Sequence, residues 1–302
     1  MGWENQGLAR GLAWGFIARW VPVAWPLPKA RPDLRAHWIV TAGALLAHAA
    51  KDIGMQKIVL VTGGSRGIGA AAALLAARQG WAVAVNYSHQ AQAAEEVVQQ
   101  ILDQGGRAMA LQADVSQEDQ VLRMFDAIDR QWGPLNGLVN NAGVVDVTAR
   151  VDEMTVARWR RMFDINVIGS FLCAREAVRR MSTRHGGAGG SIVNVSSAAA
   201  RLGSPAQYVD YAAAKAAIDA MTVGLAKEVG GEGVRVNAVR PGLIETQIHA
   251  SGGLPDRVRD LAHQVPMQRG GQAHEVAQAI VWLLSDEASY TTMALLDVSG
   301  GR

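Results

Sequence analysis

Short apolar runs alternate with helix-like segments over most of this chain, and the alternation limits the folds it can adopt. Seven runs have the length and composition of buried strands: KIVLVT, AVAVN, AMALQ, LNGLVNN, SIVNVSS, VRVNAV and ALLDV. Helical segments such as AAAALLAARQG and QAQAAEEVVQQILDQGG separate them and end in glycine. Strands joined by crossover helices form a parallel sheet with helices on both faces. The pattern therefore predicts an α/β protein with a doubly wound parallel sheet.

The first 54 residues differ from the rest. They hold five of the nine tryptophans, and their proline-rich VPVAWPLPKARPDL cannot form a continuous helix or central strand. Their longest apolar stretch is shorter than the roughly 20 residues that span a bilayer. Three interpretations stay open for this extension: a poorly ordered tail, an interfacial membrane anchor, or untranslated upstream sequence with initiation at Met55. The first and third are favoured, so we expect an extension over 1–54 and one domain over 55–302.

Composition argues against several classes of function. The single cysteine, Cys173, permits no intrachain disulfide, and its apolar neighbours predict a buried structural thiol. The seven histidines are scattered without metal-ligand spacing, so no metal site is expected. The formal charge is only +2, and the main body has no basic stripe for nucleic acid. We expect a cytoplasmic protein that acts on a small molecule.

A glycine-rich turn, VTGGSRGIGA, follows the first strand and opens the first helix. Glycines at 63, 67 and 69 permit a tight turn and let backbone N–H groups approach a pyrophosphate at the helix N-terminus. No Gly-Lys-Ser/Thr is present, which argues against a nucleoside-triphosphate loop. The strand–turn–helix context predicts dinucleotide binding.

The end of the second strand bears on which dinucleotide is bound. An acidic side chain there would accept hydrogen bonds from the ribose of NAD and repel the 2′-phosphate of NADP. This chain has Asn86, Tyr87 and Ser88 instead, with no carboxylate. Arg66 in the glycine turn supplies a cation that could pair with the phosphate. Both features favour NADP(H) over NAD(H).

One tyrosine in YVDYAAAKAA is a candidate acid–base group. Tyr211 has a lysine four residues later, Lys215, which a helix would bring to the same face, whereas Tyr208 has Ala212 there. A neighbouring ammonium favours the phenolate and lowers the tyrosine pKa from its reference value of about 10. The spacing alone is common in helices, so it predicts a function only in combination with other motifs.

That combination resembles the short-chain dehydrogenase/reductase family. TGGSRGIG, NNAG at 140–143, the asparagine at 166, IVNVSS at 192–197, YAAAK at 211–215 and RPG at 240–242 occur in the order and spacing of that family. The resemblance covers residues 57–302 and is greatest to the branch of 3-oxoacyl-carrier-protein reductases and glucose-1-dehydrogenase-like enzymes. It implies a Rossmann-type fold.

The resemblance also implies catalytic roles. Tyr211 would be the general acid or base, and Lys215 would lower its pKa and hold the nicotinamide ribose. The family usually places a serine 13 residues before the tyrosine, but Ala198 occupies that position here. Ser197, one residue earlier, is therefore expected to contact the substrate oxygen, while Ser196 fits a structural role better. Asn166 corresponds to the asparagine that holds a water near the lysine.

The resemblance also implies which residues contact the cofactor. The expected residues are Gly63, Ser65, Arg66, Gly67, Ile68, Gly69, Asn86, Tyr87, Ser88, Asp114, Val115, Asn141, Ala142, Gly143, Tyr211, Lys215, Pro241, Gly242, Ile244 and Thr246. The family builds a substrate lid over 248–268 and usually forms homotetramers or homodimers. One departure is Met293, which stands where the family has glycine before its last strand.

These inferences predict an NADP(H)-dependent oxidoreductase that interconverts a carbonyl, with 3-oxoacyl compounds and sugars as candidate substrates, and an alcohol. The alternative from another class is a non-catalytic NADP(H)-binding sensor or structural subunit. A third interpretation is an enzyme held at a membrane surface by residues 1–54.

Overall fold

The computed structural model describes residues 56–302, so the expectations for residues 1–54 lie outside it. The strands are β1 Ile58–Val61, β2 Ala82–Tyr87, β3 Arg107–Gln112, β4 Gly137–Asn140, β5 Gly190–Val195, β6 Val234–Pro241, β7 Ile244–Glu245, β8 Gly271–Gln272 and β9 Leu295–Val298. The α-helices are α1 Gly67–Arg78, α2 Ala91–Asp103, α3 Glu118–Trp132, α4 Val156–Phe163, α5 Gly169–Met181, α6 Ala199–Leu202, α7 Val209–Val229, α8 Ile248–Ser251, α9 Arg257–Leu261 and α10 Ala273–Leu284.

The main sheet has seven parallel strands in the order β3-β2-β1-β4-β5-β6-β9. Each of the seven apolar runs in the sequence supplies one of them. These strands are apolar on both faces because helices cover both, which is why they read as continuous runs and not as alternating ones. The predicted α/β doubly wound sheet of Rossmann type is confirmed.

Two apolar layers hold the helices to the sheet. In β1, Val59 and Val61 face α1, α2 and α10, while Ile58 and Leu60 face α3, α5 and α7. Successive side chains of a strand point to opposite faces, so one short run serves both layers. Cys173 is fully buried in the second layer, and burial raises the pKa of its thiol to about 12. That environment agrees with a structural thiol.

The segment predicted as a lid, 248–268, contains α8 and α9 and is joined to the body by a small apolar cluster. Val258 packs with Leu243 and Val265 in this cluster. The strands that flank the segment in sequence, β7 and β8, pair in parallel as a separate two-stranded sheet. No helix within residues 56–302 has both the length and the apolarity to cross a membrane.

Met293 lies just before β9 in a left-handed conformation, with φ of +64°. Its backbone N–H donates to the Val236 carbonyl at 2.7 Å, so pairing with β6 holds the residue in this conformation. A side chain with a Cβ adopts this region at a cost of about 1–2 kcal/mol. The departure at this position therefore places backbone strain at the entry to the last strand.

Candidate active site

A crevice of about 660 Å³ opens at the carboxyl ends of the strands, where the sheet order reverses between β1 and β4. Open α/β sheets bind ligands at such a point. Most of the expected cofactor residues line it, namely Gly63, Ser65, Arg66, Gly67, Ile68, Asn86, Tyr87, Ser88, Asp114, Val115, Asn141, Ala142, Gly143 and Thr246. The fold thus gathers segments that lie far apart in sequence.

A second cavity, of about 440 Å³, adjoins the crevice and holds the expected acid–base residues. It is lined by Ser197, Tyr211 and Lys215, together with Pro241, Gly242 and Ile244. Ile68, Asn141, Gly143, Thr246 and Ile248 line both cavities. A ligand in the crevice therefore borders the second cavity. Gly69 and Asn166 line neither of the two cavities.

The glycine turn has the conformation that its sequence requires. Gly63 and Gly67 have φ of +60° and +55°, a region that L side chains rarely adopt. Gly69 acts differently, because a Cβ there would lie 2.4 Å from the Gly63 carbonyl oxygen. Gly69 thus allows the first turn of α1 to pack against the loop.

Polar side chains connect this turn to the turn after β4. The Thr62 hydroxyl accepts hydrogen bonds from the backbone N–H groups of Asn141 and Ala142 at 2.9 and 3.0 Å. The Asn141 amide donates to the Thr62 and Gly63 carbonyls, each at 2.9 Å. The turn after β1 and the turn after β4 are therefore joined. Sequence analysis did not identify Thr62, because its role depends on a partner 79 residues away.

Asn86 lines the crevice, and its side chain also holds the glycine turn in place. Its side chain is 1% exposed, accepts from the Gly63 N–H at 3.2 Å, and donates to the Leu111 and Ala113 carbonyls. These bonds use its amide for holding the glycine turn to the ends of β2 and β3. The expected cofactor contact of Asn86 stays a prediction. Tyr87 and Ser88 are more accessible on the crevice wall.

Arg66 is exposed on the wall of the crevice. Among residues 56–302 its guanidinium has no ion-pair partner, whereas many exposed arginines of this chain are paired with acids. His89 also lines the crevice, just beyond Ser88, and was missed by sequence analysis. The crevice therefore offers a free cation beside the end of β2, where a ribose phosphate could be held.

The crevice fits an anionic dinucleotide. Helix α1 begins at Gly67 with no side-chain cap and no acid in its first turn. Its first backbone N–H groups are therefore available to an anion, and the helix dipole favours one. Gly63, Gly67 and Gly143 leave room for a ligand to approach the backbone.

Tyr211 and Lys215 lie one turn apart on α7, as their spacing predicts. The Lys215 ammonium lies 5.6 Å from the centre of the Tyr211 ring and donates to the Val195 carbonyl at 2.7 Å. This bond anchors the buried lysine to the end of β5. An ammonium has three donors, so two remain for other partners.

The pKa of Tyr211 is determined mainly by burial. Burial raises it to about 12, and a hydrogen bond with the Ser197 side chain only partly offsets this effect. Burial disfavours the phenolate because it removes the negative charge from water, and the lowering effect expected of Lys215 stays a prediction. The phenol is therefore protonated at neutral pH and can donate a proton.

The charge on Lys215 is supported from the next turn of the same helix. Burial lowers the pKa of Lys215 to about 8, while the negative charge of Asp219 opposes this shift. One oxygen of Asp219, Oδ2, is held by the Arg240 guanidinium at 2.9 and 3.0 Å. Its other oxygen, Oδ1, is buried without a hydrogen-bond partner. Arg240 therefore neutralises the carboxylate of Asp219 only in part, and the remaining negative charge stabilises the charged form of Lys215.

The two adjacent serines have separate surroundings. Ser196 is 2% exposed, and its hydroxyl donates to the Lys215 backbone carbonyl at 3.1 Å. Ser197 lines the second cavity with Tyr211 and lowers the pKa of that phenol, while its Oγ accepts from the Ala199 N–H at 3.1 Å. The structure thus brings Ser197 to the phenol and uses Ser196 to brace α7 against β5.

Asn166 lies in a single turn of π-helix, Asp164–Ile168, between α4 and α5. Its side chain is fully buried, accepts from the Val144 N–H at 3.1 Å and donates to the Val144 and Met162 carbonyls. Because a Cβ on Gly143 would lie 2.7 Å from Asn166 and 3.5 Å from Lys215 Nζ, the three residues are close neighbours. The side chain of Asn166 shapes the loop after β4 and does not face the cavity.

The lining residues of the second cavity that were not identified from sequence include Tyr208, Arg257 and Arg302. Tyr208 caps the start of α7, Arg257 begins α9, and Arg302 follows β9. The three residues share no signal in the sequence. Only the tertiary structure brings them together.

Comparisons with known proteins give the family of this chain. Residues 63–302 match a family model described as enoyl-(acyl carrier protein) reductase. The chain is 58% identical over 245 residues to the uncharacterized oxidoreductase YgfF of Escherichia coli, a match that covers 81% of this chain and 99% of YgfF. It is 36% identical to glucose 1-dehydrogenase 2 of Bacillus subtilis, with 81% and 94% of the two chains covered.

Two more comparisons extend the pattern. The 3-oxoacyl-[acyl-carrier-protein] reductase FabG of Staphylococcus aureus is 37% identical, with 82% of this chain and 98% of FabG covered. The crystal structure of a short-chain type dehydrogenase/reductase from Mycobacterium marinum is 34% identical, with a TM-score of 0.77 and 82% and 96% of the chains covered. The chain therefore belongs to the short-chain dehydrogenase/reductase family, whose members are oxidoreductases that bind a nicotinamide cofactor.

Proposed function

We propose that the protein is an NADP(H)-dependent oxidoreductase that interconverts a ketone or aldehyde and an alcohol. In the reductive direction a carbonyl compound, NADPH and a proton give the alcohol and NADP⁺. The observation that carries the proposal is the cluster of Ser197, Tyr211 and Lys215 on a cavity that adjoins the dinucleotide crevice. A protein that only binds a dinucleotide needs no such acid–base group.

Each residue of the cluster has one task. When bound, the nicotinamide supplies or accepts the hydride. Tyr211, a phenol that is protonated at neutral pH, donates its proton to the substrate oxygen. Ser197 stabilises the negative charge that develops on the same oxygen. Lys215 supplies a positive charge beside the phenol and, with its free N–H donors, would hold the nicotinamide ribose.

The choice of NADP(H) over NAD(H) rests on charge at the end of β2. Arg66 is free to pair with a 2′-phosphate, and Tyr87 and Ser88 bring no carboxylate that would repel it. Asp114 on the crevice wall holds the Ser116 backbone N–H at 3.0 Å and the Ser116 hydroxyl at 2.8 Å, so its carboxylate is engaged within its own loop.

Assembly and location complete the proposal. Phe171 and Ile168 are 49% and 48% exposed at the start of α5, and Phe163 at the end of α4 is 38% exposed. Exposed apolar residues on neighbouring helices are typical of an interface. They support a homotetramer or homodimer. A cytoplasmic location is proposed because the chain has a single, buried cysteine.

The test is consumption of NADPH by the purified full-length chain with β-ketoesters, diketones, quinones and sugar lactones, followed by alcohols and sugars with NADP⁺. We expect turnover of one substrate class. Tyr211→Phe should abolish it while NADPH still binds, as measured by the fluorescence of the reduced nicotinamide. Binding of NADPH without consumption in either direction would support the alternative, a non-catalytic sensor or structural subunit.

A further inference from the structure

The cavity beside Tyr211 is lined by cations and by no acidic side chain. Lys215, Arg257 and Arg302 are its charged lining residues, and no Asp or Glu is among the others. No acidic side chain among the described lining residues therefore neutralises this positive charge. Lys215 belongs to the acid–base cluster, so the two arginines need a separate explanation.

Arg257 extends from the first residue of α9, and its position is held by an aromatic ring. Its guanidinium lies 5.3 Å from the centre of the Tyr208 ring, which is 5% exposed. A cation stacked on an aromatic face keeps its N–H groups free for another partner. The neighbouring acids, Asp256 and Asp260, are both bound by Arg259, at 3.0 and 3.3 Å. Among residues 56–302, no acidic residue forms an ion pair with Arg257.

Arg302 approaches the cavity from the segment after β9. Burial lowers the pKa of its guanidinium, and the positive charge of Arg257 lowers it further, so the two cations are near enough to repel each other. The nearest acid on β9, Asp297, lies 3.5 Å from Arg201, which also donates to the Arg302 backbone carbonyl at 2.9 Å. The Arg302 guanidinium has no ion pair in the described part of the chain.

Two arginines that repel each other in a partly buried cavity form a binding site for an oxyanion. Burying charge without a partner is unfavourable, and a carboxylate or phosphate would remove both the repulsion and the unpaired donors. Guanidinium groups match the geometry of these anions better than ammonium groups do.

We propose that the substrate carries an oxyanionic group that binds between Arg257 and Arg302, while its reacting carbonyl or hydroxyl lies at Tyr211 and Ser197. This proposal rests on the proposed function, because it assigns the substrate class of the same site. The cavity also has apolar lining, including Val145, Leu202 and Leu243, and part of it borders the cofactor crevice. The substrate class is therefore a compact keto acid or hydroxy acid with an apolar body, or its phosphorylated counterpart.

A binding experiment tests the anion site without requiring turnover. Benzoate, phenyl phosphate and the neutral benzamide are titrated into the full-length protein by calorimetry. We expect the anions to bind at least tenfold more tightly than benzamide, and the tighter of the two identifies the anionic group. Arg257→Gln and Arg302→Gln should each reduce this preference by about tenfold or more, the usual effect of losing a charge-assisted hydrogen bond. Arg257→Lys should retain part of it.

Arg259→Gln is the matched control. Arg259 lies two residues from Arg257 on the same short helix, but its side chain is 73% exposed and outside the cavity lining. Its removal should leave the preference for anions unchanged. Equal binding of benzoate, phenyl phosphate and benzamide, or an equal loss in Arg257→Gln and Arg259→Gln, would overturn the proposal.

Turnover separates this proposal from the function on which it rests. The ratio of kcat/KM for 4-oxopentanoate to that for its methyl ester should exceed ten, and Arg257→Gln should lower the ratio by about tenfold. Carbonyl reduction without any preference for acids would leave the oxidoreductase function standing and overturn the anion site. Selective anion binding without turnover of any carbonyl or alcohol would leave the anion site standing and overturn the oxidoreductase function.

Discussion

The guanidinium of Arg158 holds the carboxylate of Asp210, the residue directly before Tyr211 in sequence, by two hydrogen bonds of 2.7 and 3.1 Å. The side chains are only 9% and 2% exposed. A third bond joins Arg158 to the Val147 carbonyl at 2.6 Å, and Asp210 accepts from the Tyr211 N–H at 3.0 Å. This pair therefore connects α4, the loop after β4 and the start of α7.

Replacing Arg158 should destabilise the fold strongly. Arg158→Met leaves Asp210 buried without its partner, which costs about 3–5 kcal/mol. Arg123→Met, which removes an exposed pair with Asp119, should cost at most about 1 kcal/mol. Urea unfolding of both variants measures the difference. Equal costs would mean that the Arg158 pair stabilises the protein no more than a surface ion pair does.

The two serines should separate catalysis from stability. Ser197→Ala should lower kcat by about 10²–10³-fold, because it removes a donor to the charge that develops on the substrate oxygen. Ser196→Ala should cost about 1 kcal/mol of unfolding free energy, the value of its bond to the Lys215 carbonyl, and change kcat much less. Steady-state kinetics and thermal unfolding of both variants test this assignment. The opposite result would give the catalytic role to Ser196.

Carbonyl reduction should weaken as the pH rises through about 8, where Lys215 loses its proton. Asp219→Asn should move this midpoint to lower pH, because the negative charge of Asp219 raises the lysine pKa. Glu228→Gln, exposed at the other end of α7, should leave the midpoint in place. The measurement is kcat/KM against pH. A midpoint that stays fixed in Asp219→Asn would contradict the role assigned to this carboxylate.

Cofactor preference should respond to Arg66. Arg66→Ala should weaken NADPH binding by about tenfold or more and NADH binding much less, because only NADPH has the 2′-phosphate. Arg78→Ala, exposed at the far end of α1, serves as the control. Conversely, Tyr87→Asp should shift the preference toward NADH by introducing the missing carboxylate. Fluorescence titration measures each affinity, and equal losses for both cofactors in Arg66→Ala would argue against a phosphate contact.

Met293→Gly should stabilise the protein. The φ of +64° is strained for methionine and free of strain for glycine, so we expect a gain of about 1 kcal/mol and a rise in Tm of about 2–4 °C. Met293→Ala keeps the Cβ and should give no such gain. Calorimetric unfolding compares the three proteins. A gain in the alanine variant equal to that in glycine would attribute the effect to the exposed side chain and not to the backbone.

Local sequence patterns predicted the sheet and the Tyr211–Lys215 pair because both depend on short-range periodicity. The seven strands are buried on both faces and thus form unmistakable apolar runs, and a spacing of four brings two side chains together on any helix. The choice of Ser197 over Ser196 follows from the family resemblance and stays a prediction, to which the structure adds the bond from the Ser196 hydroxyl to α7.

Long-range contacts could not be predicted in the same way. The amide of Asn86 is used by backbone groups of the glycine turn and of β3, which no local pattern encodes. The pKa of Tyr211 depends on how deeply the fold buries it. Arg257 and Arg302 are 45 positions apart in sequence and become neighbours only when the lid and the last strand reach the same cavity.

Hydrogen bonds made by the side chains of Thr62, Asn86 and Asn141 restrict the glycine turn, and this affects the rate and the entropy of cofactor binding. Because these bonds already restrict the backbone, the dinucleotide does not have to order a loose loop, and little conformational entropy is lost on association. The association rate constant of the cofactor should therefore be close to the value usual for a preformed binding site. The conformational entropy of the glycine turn is lost when the chain folds, so cofactor binding does not have to compensate for that loss.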